Sequence, residues 1–168
     1  MLRMNCSDEE LKIREMTEYI KITPADRELF FKFMAENCRE GEDGANCSKE
    51  TDELCEYVFG KLTTGEVNGC FAVTDETVGF VLWAAEDSIF CELKGFATIL
   101  ELWVRKEHRL KGVGSGLAEC AEREIEKTCG AGVYVCAASS AEGFWKRLGY
   151  RKIEGTAMNG LKIFVKSF

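Results

Sequence analysis

One histidine and one proline stand in 168 residues, and both scarcities narrow the chemistry open to the chain. With His108 alone, a zinc-type site would have to be built largely from thiolates. The nine cysteines, at positions 6, 38, 47, 55, 70, 91, 120, 129 and 136, contain no CxxC pair and do not offer the spacings such a site needs. No metal is therefore expected. Several of these thiols fall in apolar segments, so they are expected reduced and mostly buried, packing as small hydrophobes. The apolar runs stay well short of the roughly 18–20 residues that span a bilayer. A net charge of -7 argues against general nucleic-acid binding, which depends on neutralising phosphates, and is compatible with a cationic substrate. Residues 1–16 carry Asp8, Glu9, Glu10 and Glu15 and lack a continuous apolar core. They read as neither a secretory signal nor a basic transit peptide, which predicts a cytoplasmic address.

What is present is an ordinary globular composition, 46% hydrophobic and 30% charged, in a length suited to one domain. Residues 1–16 form an amino-terminal extension and 17–168 the folded domain. A short strand is expected at 19–22, followed by a helix that begins at Pro24, with Thr23 as cap and Asp26 at its third position. Leu29, Phe30, Phe33 and Met34 recur at helical spacing, and residues 39–46 break the helix. Ser48 caps a second helix carrying Leu54, Tyr57, Val58 and Leu62, ended near Gly65. Strands at 69–74 and 77–85 make a hairpin around Asp75-Glu76, and a further strand covers 97–104. Val113, Leu117, Ala121 and Ile125 then mark the buried face of a helix with Gly130 as its C-cap. The apolar run 132–138 suits a buried central strand. Ser139 and Glu142 form a capping box for a short helix through Leu148, and strands at 150–157 and 161–165 close the chain around Asn159-Gly160. Strands and helices in this order predict an α/β fold, a mixed central β-sheet flanked by about four helices.

The most informative stretch is His108-Arg109-Leu110-Lys111-Gly112-Val113-Gly114-Ser115-Gly116-Leu117, a basic, glycine-rich turn between a strand and a helix. Glycine admits backbone shapes closed to other residues and lets a ligand approach the main chain. Unpaired N–H groups at a helix start, with the positive end of the helix dipole, attract phosphate oxygens. Arg105, Lys106, Arg109 and Lys111 add a basic island to an acidic chain, which suits a polyanion. The competing structural reading makes the glycines a close helix-to-sheet packing device and the basic residues a solvated face. The Walker pattern is absent. The glycines read GxGxG rather than GxGxxG, with Cys136 near the place where a dinucleotide-binding turn needs an acid.

The run Arg109-Leu110-Lys111-Gly112-Val113-Gly114 resembles the Arg/Gln-x-x-Gly-x-Gly/Ala motif of the GNAT family of N-acetyltransferases. The segment from Ala141 through Phe144, Trp145, Leu148 and Gly149 to Tyr150 is similar to that family's closing pattern. The resemblance implies acetyl-CoA as co-substrate, its pyrophosphate on the amides of residues 111–115 beside Arg109 and Leu110. It implies a pantetheine arm between the strands at 97–104 and 133–138, bordered by Leu102, Trp103 and Val104, with Ser139, Phe144 and Trp145 nearby. The thioester carbonyl would lie near the amide of Leu102 or Val104. Members of the family often dimerise, so a homodimer is a further implication.

Acetyl transfer to an amine needs a general base, and Glu101, set in an apolar strand where burial would raise its pKa, is the first candidate; a paired or solvent-facing glutamate is the alternative. The family's usual acid, a tyrosine, falls at Trp145, whose indole does not titrate near neutrality. Ser139 and Ser140 read as helix caps before substrate contacts, and Cys136 lacks a base that would make it a nucleophile. The acceptor is expected to be an amine of a small molecule or peptide. Glu86 and Asp87, or Glu50, Asp52, Glu53 and Glu56, could receive its charge, or be simply wet faces, and the loop 88–96 could cover it or contact a second subunit.

Overall fold

The computed structural model describes residues 16–41, 48–86, 89 and 91–168. The amino-terminal extension up to residue 15 and part of the loop 88–96 lie outside them, as do Asp87 and residues 42–47. Strand β1 (Glu18–Lys21) leads through a 3-10 turn, Pro24–Asp26, into helix α1 (Arg27–Gly41). The Asp26 carboxylate accepts from the Thr23 amide at 2.8 Å and the Thr23 hydroxyl at 2.6 Å, which anchors that start. Helix α2 (Ser48–Thr64) follows, then β2 (Val67–Val73), β3 (Thr77–Ala84), β4 (Ala97–Val104), helix α3 (Val113–Glu126), β5 (Gly132–Ala137), helix α4 (Glu142–Arg147), β6 (Arg151–Thr156) and β7 (Lys162–Ser167).

The strands form one seven-stranded sheet in the order β1-β2-β3-β4-β5-β7-β6. Neighbours are antiparallel except at its centre, where β4 and β5 run parallel. Strand β3 is buried on both faces, as its nearly continuous apolar run requires. On one face Phe30, Phe33, Phe59, Phe71, Phe80, Leu82 and Trp103 join α1 and α2 to the sheet. On the other, Val78, Val81, Val104, Val113, Leu117, Trp145 and Phe164 join α3 and α4 to it. The expected face of α3 is the buried one, with Leu117, Ala121 and Ile125 at 0% exposure and Val113 at 1%. Ile125→Val should cost about 1 kcal/mol and lower Tm by roughly 2–4 °C. Thermal melts check this, and no change would mean that the Ile125 site collapses around the missing methyl.

Several expected boundaries are corrected. Helix α3 stops at Glu126 rather than at a Gly130 cap: the Thr128 amide tightens the last turn with a bond to the Ile125 carbonyl three residues back at 2.9 Å, and Gly130 does not take the left-handed conformation of a glycine cap. The Ser139–Glu142 capping box does not form: Ser139–Ala141 is a 3-10 turn, and the Glu142 carboxylate pairs with Lys162 and Lys146. Strand β2 begins at Val67, where Val67 pairs with Ala84. Strand β6 carries an irregularity between Lys152 and Thr156, with Gly155 at φ 95°.

Candidate functional site

The parallel pairing of β4 and β5 is short. Ala97, Thr98 and Ile99 face Val133, Tyr134 and Val135, and the ladder ends there although β4 continues to Val104. Beyond Ile99 the strands part, opening a cleft at the middle of the sheet. The amide of Arg105 donates to the Val78 carbonyl at 2.9 Å, on the β3 side. Alternation along an extended strand then turns the amides of Leu102 and Val104 toward the cleft. A parting of parallel strands exposes main-chain donors and acceptors that a slender polar chain can satisfy.

At the end of the cleft stands the glycine turn. Leu110 has φ 60° and is 87% exposed, and Gly112 has φ 80° as the residue before α3. Both lie in the left-handed region, which turns the chain into α3 within eight residues of β4's end at Val104. The first intrahelical bond is from Gly116 to the Gly112 carbonyl at 3.0 Å, and no side chain caps this end. The amides of Val113, Gly114 and Ser115 therefore have no acceptor within the helix, the arrangement that holds an anion. Gly114 faces the Phe144 ring and Leu102, where a Cβ would make ordinary contact at 3.4 and 3.7 Å and a larger side chain would crowd them. Phe144 thus joins the start of α3 to α4.

The basic island is only partly a polyanion site. Arg105 is held by both oxygens of Glu36 at 2.9 and 3.0 Å, donates to the Thr77 carbonyl and lies over the Phe33 ring. Arg109 is bidentate to Glu40 (2.6 and 2.7 Å) and donates to the Val104 carbonyl at 2.7 Å. These arginines fasten the turn to α1, and they hold the carboxyls of Glu36 and Glu40 below the usual range. Lys106 reaches Glu40 only at 3.9 Å, and Lys111 has no ion-pair partner among the described residues. Two charges of the four remain available to a ligand. Glu36 and Glu40 left no recognisable mark in the sequence, because their partners are 69 residues away.

Glu101 is half-buried on β4. Burial pushes its carboxyl above the ordinary value, opposed by hydrogen bonds from the Asn37 side chain and the Leu102 amide. The carboxylate therefore sits beside one of the two cleft-facing amides, and Asn37, on α1, is a site residue that sequence reasoning missed. Trp103, on the same face of β4 as Glu101, has its side chain in the α1 layer, donating from Nε1 to Glu40 at 2.9 Å and packing edge-on against Phe33. Its main chain alone borders the cleft. Ser139, just past β5, is exposed and accepts from Lys162 Nζ at 3.4 Å. Trp145 is 6% exposed, packed edge-on between Phe144 and Tyr150. Cys136 has its thiol raised by burial, which leaves it a poor nucleophile.

Among the described residues, no group of three or more histidine, cysteine or acidic side chains is placed to hold a metal ion, and no helix is long and apolar enough to cross a membrane.

A mixed sheet whose two parallel strands part beside an uncapped, glycine-led helix defines the acyl-CoA N-acyltransferase fold. The chain belongs to the GNAT acetyltransferase family: the model of the acetyltransferase (GNAT) domain matches residues 67–152. A comparison with curated protein sequences gives no match. Among solved structures the chain is similar to PaiA N-acetyltransferase from Thermoplasma acidophilum in complex with coenzyme A, at TM-score 0.68 and 15% identity, covering 90% of this chain and 99% of that one. It is similar to NAA60 of Arabidopsis thaliana in complex with a bisubstrate analogue, at TM-score 0.61 and 20% identity, covering 90% and 97%. A predicted acetyltransferase with acetyl-CoA from Clostridium acetobutylicum follows the same fold at TM-score 0.66 and 15% identity, covering 84% and 94%.

Proposed function

We propose that this chain is an N-acetyltransferase that moves the acetyl group of acetyl-CoA to a primary amine of a small molecule or peptide, by direct transfer in a ternary complex. The observation that carries the reading is the pairing of two groups of open main-chain donors, one where β4 parts from β5 and one at the uncapped start of α3. The amides of residues 111–115 would take the pyrophosphate, beside Arg109 and Leu110 and within reach of Lys111. Leu102, Trp103 and Val104 would border the pantetheine through their main chain, with Ser139, Phe144 and Trp145 framing the far side.

In the transfer, Glu101 takes the proton of the attacking amine, directly or through one water. The nitrogen lone pair forms the new C–N bond at the thioester carbonyl. The Val104 amide stabilises the developing oxyanion, since Leu102 already serves the Glu101 carboxylate. Collapse breaks the C–S bond and CoA leaves as its thiolate, which takes a proton from solvent. No side-chain acid is assigned, because Trp145 stands where the family has a tyrosine and the CoA thiolate is a tolerable leaving group.

The test is the release of free thiol from acetyl-CoA across a panel of amines, polyamines, aminoglycosides and peptide amino-termini. Acetyl-CoA at 100 times its Kd should also stabilise the fold by roughly 2.7 kcal/mol. Stabilisation without thiol release on any amine would favour a non-catalytic acyl-CoA-binding module, the reading that the buried Trp145 supports. No stabilisation at all would remove both readings.

Asn37 gives a sharper handle on the base. Its hydrogen bond favours the charged form of Glu101, so Asn37→Ala should push the Glu101 pKa further up. The acid limb of the kcat/KM profile then moves to higher pH, with activity lost below the limb and recovered above it. An unshifted limb would separate Asn37 from the reaction.

A further inference from the structure

At the opposite end of α3 from the glycine turn, a cavity of about 900 Å³ opens between the second half of that helix and strands β1 and β2. This volume lies within the range of small-ligand sites, roughly 300–1,000 Å³. Two of its lining residues are Cys70 on β2 and Cys120 on α3, both free thiols, with their sulfurs 3.3 Å apart. They are 4% and 7% exposed, so the cavity is their route to solutes. Lys21, Arg123 and Lys127 line it against Glu124 and Glu126, which leaves an excess of positive charge beside the sulfurs.

The pair is electrostatically unequal. The hydrogen bond with Cys70 and then the Arg123 guanidinium lower the pKa of the Cys120 thiol, against burial and the Glu124 carboxylate. Cys70 is pushed far up by that same hydrogen bond and by burial, Lys21 only partly opposing. With Arg123 beside it, Cys120 is the sulfur from which a proton leaves more readily, and so the one placed to attack first.

We propose that Cys70 and Cys120 are a redox-active dithiol that exchanges with a small, anionic, low-molecular-weight disulfide entering this cavity, and closes a protein disulfide between β2 and α3. The Cys120 thiolate attacks one sulfur of the small disulfide, forming a mixed disulfide and expelling one thiolate, which takes the Cys70 proton. The Cys70 thiolate then attacks the Cys120 sulfur, forming the Cys70–Cys120 bond and expelling the second thiolate, which is protonated by solvent. Two electrons pass from the protein to the small disulfide, whose two halves leave as thiols. The sulfurs need to close from 3.3 Å to the covalent distance of about 2.05 Å, a movement within reach of side-chain rotation. The bridge would pin α3, the helix that starts at the glycine turn, to the sheet. None of this depends on the acyl-transfer reading.

Oxidised glutathione, a tripeptide disulfide bearing carboxylates, is the probe. On incubation with the reduced full chain, the intact mass should fall by two hydrogens. Peptide mass spectrometry, with fragmentation to separate Cys70 from Cys91, should find the Cys70 and Cys120 peptides joined, and oxidation should abolish alkylation of both. Cys70→Ser should instead stop at the first step, with one glutathione on Cys120. Cys120→Ser should leave Cys70 unmodified. The proposal is overturned if Cys70 and Cys120 stay reduced in the wild-type chain while other cysteines take up glutathione. A Cys70→Ser chain whose Cys120 acquires none would overturn it equally.

Discussion

Glu101→Gln should lower kcat by about 10²–10⁴-fold, the range for loss of a positioned general base, while the Kd for acetyl-CoA stays nearly unchanged. The reason is placement: the carboxylate lies between Asn37 and the Leu102 amide, at the edge of the cleft and away from the amides at the start of α3. The same substitution should raise Tm at neutral pH. Burial lifts the folded-state pKa of Glu101 above its unfolded value, so the folded chain binds the extra proton. The stability linked to that proton is fully present below the unfolded pKa and lost as pH rises through the folded one. Glutamine imitates the protonated form and keeps that stability at every pH. The expected signature is a slower enzyme with a higher Tm at pH 7–8 and a gap that closes in acid. Turnover kinetics, calorimetric titration with acetyl-CoA and melts across pH measure the three parts. Unchanged turnover across pH would exclude Glu101 as the base, and a lower Tm at pH 7–8 would mean that its charge is stabilising.

Gly112→Val should weaken acetyl-CoA binding by about 10–100-fold, equivalent to about 1.4–2.7 kcal/mol, with a lower Tm. Gly112 has φ 80°, a conformation that strains a β-branched residue by about 1–3 kcal/mol. Relief of that strain turns the amides of Val113, Gly114 and Ser115 away from their common direction, and with them the anion site. Calorimetric titration with acetyl-CoA and with CoA separates this from an effect on the acetyl end, because both ligands carry the pyrophosphate and should lose affinity together. Full affinity for both would place the pyrophosphate elsewhere.

Much of the fold was legible before any coordinates. The bounds of β4, the buried face of α3 and the α1 aromatics follow from period and turn chemistry, because alternation and 3.6-residue spacing are properties of the local chain. Element ends read less well where a distant group intervenes. Glu142 has the local spacing of a cap for its own helix and instead pairs with Lys162, 20 residues on. Gly130 reads as a helix stop, but the helix has already tightened at Thr128, and Gly130 stays out of the left-handed region.

The candidate site divides along the same line. Gly112 and Gly114 announce a special turn in the sequence, since a positive φ and a close ring contact leave a compositional trace, and Glu101 announces itself as a charge in an apolar strand. The parting of β4 from β5, the capture of Arg105 and Arg109 by Glu36 and Glu40, the placing of Asn37 on Glu101 and the meeting of Cys70 with Cys120 left none. By itself the sequence determined which elements form and which turn can hold an anion, for these rest on interactions a few residues apart. Only the tertiary structure decided which charges remain free, which carboxylate meets the cleft and which thiols touch, because each depends on groups that chain reversal brings together from far along the sequence.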